Sequence, residues 1–130
     1  MYALDTNTVI FLFKGIGRVK DHFFSKPPKE IVLPAIVVYE LEVGILKSSD
    51  ARKRQGQLKD LIDAVQVCPF GTGEAHAAAQ IRARLEKSGY PIGPIDVLIA
   101  ATAQANGHVL VTNNLKEFKR VHGLRVEDWL

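Results

Sequence analysis

Residues 1–10 read MYALDTNTVI, and the fold turns on how that stretch divides. Tyr2, Ala3 and Leu4 suit a short buried strand. Asp5 follows at once, then Thr6 and Asn7, either of which can cap a helix over 8–13. A strand that gives way directly to a helix opens an α/β unit. It also leaves a carboxylate at the mouth of a core strand, where burial is costly without a compensating partner.

The alternation continues along the chain. Gly15 and Gly17 break the first helix, and an amphipathic second one is expected from 18 to about 24, before a turn at Pro27-Pro28. A strand over 31–33 leads to Pro34, suited to the first turn of a helix running from 35 to about 47. Ser49 or Asp50 can cap a further helix to about 64, and a strand over 65–68 ends at Pro69. Helical composition over 74–87 stops at Gly89, and Gly93-Pro94 opens a helix to about 105 with Asn106-Gly107 as its stop. A strand over 108–111, a helical turn over 115–118 and a short strand near 124–126 complete the pattern. Strands separated by helices imply an α/β fold with a mainly parallel sheet covered on both faces.

Composition sets the outer bounds. The chain has 130 residues, 47% apolar and 24% charged, enough for one globular domain spanning 1–130 with its own core. No linker, repeat or low-complexity tract divides it. No run approaches the roughly 18 apolar residues of a membrane span, and Asp5 interrupts any secretory signal pattern. The single cysteine, Cys68, rules out an internal disulfide and a cysteine-based zinc cluster, so a reducing, cytoplasmic setting is expected. A formal charge of +3 and a pI near 9.1 permit a polyanionic partner without demanding one.

In an open parallel sheet, ligands sit beyond the carboxyl ends of the strands, where the strand order reverses. The first strand ends in Asp5 and the fourth in Thr112-Asn113-Asn114. The helix from Gly93-Pro94 feeds the fourth strand from the opposite end, so Asp96 in its first turn lies on the same side. Taken singly, Asp5 can be a helix cap, Asp96 a dipole partner and the asparagines turn formers. Their convergence on one edge is harder to explain that way. In the helix from 35, Glu40 and Glu42 point about 200° apart. Glu40 has Gly44 one turn ahead, which leaves space beside its carboxylate, so it is placed in the site and Glu42 at the rim or in solvent. The apolar character of this helix implies burial on more than one side.

Three carboxylates in one crevice repel one another unless some stay protonated or a divalent cation sits among them. Hard oxygen ligands suit Mg2+ or Mn2+. An acidic pocket in a basic surface then fits a phosphodiester substrate. No phosphate-cradling glycine loop, dinucleotide fingerprint, nucleophile elbow or histidine metal spacing competes with this. Lys116, Arg82 and Arg84 are candidate nucleic-acid contacts.

Four stretches carry a wider likeness: Leu4-Asp5-Thr6-Asn7; Glu40-Leu41-Glu42-Val43-Gly44; Gly93-Pro94-Ile95-Asp96 with Ile99-Ala100-Ala101; and Val111-Thr112-Asn113-Asn114 with Glu117-Phe118. In this order, and over nearly the whole chain, the sequence resembles the PIN-domain ribonuclease toxins of VapC type. The resemblance implies a three-layer α/β/α fold, a magnesium site lined by Asp5, Glu40 and Asp96, and Asn114 as a further catalytic position. The position of Asn114 is often Asp in the family; a neutral residue there suits placing a water or a metal ligand. Thr6, Asn7 and Thr112 fall in the supporting shell, and Glu117 is a peripheral acid or a helix-surface residue. The C-terminal stretch from Ile92 through Glu127-Asp128-Trp129 resembles the subgroup that cuts initiator tRNA in the anticodon stem-loop. The likeness further implies a homodimer and a VapB-type antitoxin that forms a hetero-oligomer with the toxin, its C-terminal segment filling the cleft.

Two rivals come from other classes. A phosphotransferase with Asp5 as nucleophile needs an acid two residues on, where Asn7 stands. A non-catalytic RNA- or protein-binding domain would use the acids only to receive a partner's arginine.

Overall fold

The computed structural model describes all of residues 1–130. Five strands, β1 (Tyr2–Leu4), β2 (Ile31–Pro34), β3 (Gln66–Cys68), β4 (Val109–Val111) and β5 (Val126–Glu127), form one sheet in the order β3-β2-β1-β4-β5. Every neighbouring pair is parallel. Strands of a parallel sheet are covered on both faces, so they read as apolar runs. Ala3, Leu4, Ile31, Leu33, Leu110 and Val111 are fully buried accordingly.

The helices are α1 (Thr6–Lys14), α2 (Val19–Phe24), α3 (Ala35–Leu46), α4 (Ala51–Ala64), α5 (Thr72–Ser88), α6 (Pro94–Ala105) and α7 (Leu115–Phe118), with a 3-10 turn over Pro28–Glu30. Stepping outward from β1 to β2 to β3 by right-handed crossovers lays α1–α4 over one face of the sheet. The return from β3 to β4 lays α5 and α6 over the other. Within the layers, α1 meets α2 and α3, α3 meets α4, and α5 with α6 forms the most extensive helix pair, while α3 also meets α6 across the layers. The architecture is therefore the three-layer α/β/α arrangement, with strand order reversing between β1 and β4.

Several element ends differ from expectation. Asp5, not Thr6 or Asn7, caps α1: its backbone is extended and its side chain accepts a hydrogen bond from the Thr6 N–H. Pro34 closes β2 and precedes α3 instead of lying in that helix's first turn. Helix α5 starts at Thr72, because the Glu74 carboxylate reaches back to accept from the Gly71 N–H at 2.7 Å. Strand β5 lies at Val126–Glu127, where the Glu127 carbonyl takes the Thr112 N–H at 2.9 Å.

The burial of α3 is a larger correction. Only the stripe Val37, Leu41 and Ile45 is fully buried, as one helix face against the sheet and its neighbours requires. Tyr39 and Leu46 remain 57% and 80% exposed. Ile36 and Val38 are half-buried against the core, so the outward-facing part of the helix's apolar surface is Tyr39 and Leu46.

Candidate active site

The parallel register sets Leu4 opposite Val111, so the next residues, Asp5 and Thr112, leave the sheet abreast. The Asp5 N–H donates to the Val111 carbonyl at 2.9 Å, continuing the ladder one residue past the strand. The Thr8 hydroxyl donates to the same carbonyl at 3.0 Å and ties the first turn of α1 to β4. Asp5 is only 5% exposed, and its carboxylate is held at both oxygens. Oδ1 accepts from the Thr6 N–H at 2.8 Å, and Oδ2 accepts from the Thr112 hydroxyl at 2.8 Å. Burial pushes the Asp5 carboxyl above its usual range, the Thr112 and Thr6 hydrogen bonds pull it back, and the charge of Glu40 raises it further.

Three more acids face this position. Glu40, half-buried on α3, accepts a 2.6 Å hydrogen bond from the Thr6 hydroxyl, whereas Glu42 is exposed. Asp96, in the first turn of α6, has its carboxyl pushed from the usual 3.8 to about 6. Burial is the main cause, followed by the charges of Asp5, Glu117 and Glu40. Glu117 on α7 therefore belongs with the other three. Its carboxylate accepts from the Asn114 side-chain amide at 3.1 Å, and the Asn114 backbone N–H donates to the Thr112 hydroxyl at 3.0 Å. Thr112 thus links the first strand's acid to the fourth strand's turn. Asn7 is exposed on the first turn of α1 and takes part in none of these bonds.

One feature is read from the sequence only as an open choice, and another escapes it. Glu117, expected as a peripheral acid or a helix-surface residue, stands near enough for its charge to raise the Asp96 carboxyl. Thr8 is a buried hydroxyl on α1 outside the motif stretches, and its bond to Val111 appears only once β1 and β4 are paired.

No cation of the protein balances the four acids. The two side-chain ion pairs within 4 Å are Lys59–Asp63 and Arg82–Glu86, both exposed and both elsewhere. Like charges gathered without a counter-charge favour either a retained proton or a bound cation. No three acidic, His or Cys side chains converge closely enough to hold a metal ion among themselves; Asp5, Glu40 and Glu117 are each turned to a neighbouring hydroxyl or amide. An all-oxygen set of this kind fits an ion that keeps several of its waters and takes one or two carboxylates directly, as Mg2+ and Mn2+ do. Beside Glu40 lies a cleft of about 180 Å³, walled by Ile10, Phe13, Leu41, Ile45 and Gly44 and lined also by Lys14, Ser48 and Arg54, neither cation within ion-pair distance of Glu40. A Cβ added at Gly44 would touch nothing within 4 Å.

Comparison with known proteins gives the family and the fold. The sequence matches the PIN domain family over residues 2–124. It is 37% identical over 128 residues to the tRNA(fMet)-specific endonuclease VapC of Salmonella typhimurium, covering 98% of this chain and 97% of that protein. It is 32% identical over 134 residues to Ribonuclease VapC2 of Rickettsia felis, covering 99% and 98%. Among solved structures, the fold superimposes with a TM-score of 0.92 on VapBC2 from Rickettsia felis bound to a DNA fragment from its promoter, at 31% identity and over 99% of this chain and 98% of that one. The DNA-bound VapBC from Salmonella typhimurium gives the same TM-score at 36% identity, again over 99% and 98%.

Proposed function

The chain belongs to the PIN-domain family, and from that premise we propose that it is a ribonuclease toxin of VapC type, cutting an RNA phosphodiester with a bound Mg2+ or Mn2+. The observation that carries the proposal is the gathering of Asp5, Glu40, Asp96 and Glu117 at the strand-order reversal with no protein cation among them.

Asp5 and Asp96 would hold the ion, directly or through water. When bound, the ion polarises the scissile phosphate and lowers the pKa of an attacking water. The chain's own groups do the rest. The Thr112 hydroxyl and the Thr6 N–H fix both oxygens of Asp5, so its orientation is set before RNA arrives. The Thr6 hydroxyl keeps Glu40 turned toward the cluster, where its carboxylate accepts the proton of the attacking water. Asn114 steadies Glu117. Breaking the bond to the 3′ oxygen leaves 5′-phosphate and 3′-hydroxyl ends.

Relatives named for cutting tRNA(fMet) support initiator tRNA, in its anticodon stem-loop, as the substrate, read through shape and unpaired bases. Relatives solved as VapBC pairs support a VapB-type antitoxin as partner. The cleft beside Glu40 gives its segment an apolar wall next to acids that an arginine can neutralise. Tyr39 and Leu46, exposed on α3, suit a protein interface, and a homodimer joined to antitoxin fits them. No helix is long and apolar enough to cross a membrane, and a cytoplasmic tRNA pool is where such an enzyme acts.

Purified protein incubated with total RNA and Mg2+ or Mn2+, followed by mapping of fragment ends, tests this. Cleavage with 5′-phosphate ends, lost on chelation and in Asp5→Asn, is expected. Cutting that persists under full chelation contradicts the metal mechanism. Binding of RNA without any cutting in either metal favours the non-catalytic domain.

A further inference from the structure

Residues 89–93 join α5 to α6, and within them Tyr90 is 65% exposed. The Arg120 guanidinium lies 5.8 Å from the centre of its ring and donates to the Pro91 carbonyl at 3.3 Å. It is held against the loop with no carboxylate in ion-pair range. Beyond it opens a pocket of about 350 Å³ whose walls include Arg84, Gln80, Gln104 and His122 and no acidic residue. Arg82, by contrast, is engaged by Glu86 at 3.3 Å.

This patch is tethered to the acids from both sides. Gly93 abuts Asp96, since a Cβ added there would lie 3.4 Å from Oδ2. Tyr90 precedes Gly93 by three residues, a span of at most about 11 Å. Arg120 follows Glu117 by three, and the charge of Glu117 is felt at Asp96. An open aromatic ring beside one uncompensated guanidinium, with a second lining the adjoining pocket, has the makings of a single-strand nucleic-acid contact: the ring offers a base its π-face, and the arginines offer phosphates their charge.

We infer that Tyr90, Arg84 and Arg120 form an RNA platform that stacks an unpaired base and holds the adjoining phosphates on the Asp96 side of the acids. Its ligand class rests on the ribonuclease proposal; its geometry does not.

The test is titration of a fluorescent, mixed-sequence single-stranded oligoribonucleotide in EDTA, read by anisotropy over a series of salt concentrations. Wild type is compared with Tyr90→Ala, Tyr90→Phe, Arg84→Gln and Arg120→Gln, with circular dichroism melts to verify folding. Tyr90→Ala should weaken binding at least about fivefold, while Tyr90→Phe binds as wild type does. Each arginine substitution should reduce the slope of log K against log salt by about 0.7. Equal affinity for wild type and Tyr90→Ala overturns the platform, as does no measurable binding by wild type. Unchanged salt slopes in both arginine variants also overturn it, the outcome expected if Tyr90 serves a protein contact. Cleavage in Mg2+ is scored separately: binding that depends on Tyr90 without any cutting would defeat the ribonuclease proposal and leave the platform standing.

Discussion

A carboxyl that titrates at about 6 instead of 3.8 binds its proton more tightly in the folded chain than in the unfolded one. Stability must then fall as pH rises from about 4 to about 6 and stay low above that. Thermal melts in EDTA should show this decline for wild type, and Asp96→Asn should flatten it and raise the melting temperature at pH 7. Because Asp96 is half-exposed, the gain is on the order of 1 kcal/mol, well under the full value of the shift. Wild-type melts that do not change between pH 4 and 7 would show that Asp96 ionises freely. Thr112 carries a different weight. It is fully buried and bridges Asp5 to Asn114. Thr112→Val should cost about 1–3 kcal/mol by leaving those groups short of a partner, with cleavage reduced roughly 10- to 100-fold. Thr112→Ser should recover most of both, as read by urea unfolding and initial rates.

At the level of elements, the sequence is most informative where apolar runs are fenced by proline or glycine. Strands β1 to β4 are legible for that reason, and the neighbourhood of β1 and β4 follows from the α/β alternation. Caps are less legible, since Asp5, Thr6 and Asn7 are all suitable residues and only the extended backbone of Asp5 decides among them. Helix α3 misleads in a more physical way. Hydrophobicity reports what a helix prefers to bury, not whether this chain supplies the cover, so Tyr39 and Leu46 stand open. Gly44 sits in the same helix with empty space around its Cα. A helix-interior glycine costs about 0.5–1 kcal/mol relative to alanine. Gly44→Ala should therefore stabilise the protein by that amount in urea unfolding, showing that the glycine serves the cleft and not the helix. A loss of stability would mean that the site is already crowded.

Across the whole molecule, four acids meet because β1 lies between β2 and β4 and because α6 and α7 flank β4. Asp5 and Asp96 are legible as candidates because one ends a strand and the other lies in a helix's first turn on the same side of the sheet, and Glu40 because Gly44 one turn ahead leaves space beside it. Glu117 is legible only as a peripheral acid or a helix-surface residue, because its approach to Asp96 depends on how the last helix packs. A second long-range device closes the opposite part of the fold. Trp129 is 1% exposed, stacks on His22 at 5.8 Å and donates from Nε1 to the Glu127 carboxylate at 2.9 Å. Trp129→Ala should cost about 3–5 kcal/mol, and Trp129→Phe only about 1 for the lost hydrogen bond. Equal losses in calorimetry would mean that the ring contributes little.

The acids are shared out evenly along the backbone: Asp5 and Glu40 come before the exposed turn at Ser48-Ser49-Asp50, and Asp96 and Glu117 come after it. A chain severed at that turn yields two fragments, each with half a cutting centre and neither able to sever RNA. Fused to a pair of interacting proteins, the fragments would regain nuclease action only where those proteins meet, turning the enzyme into a two-part sensor of association.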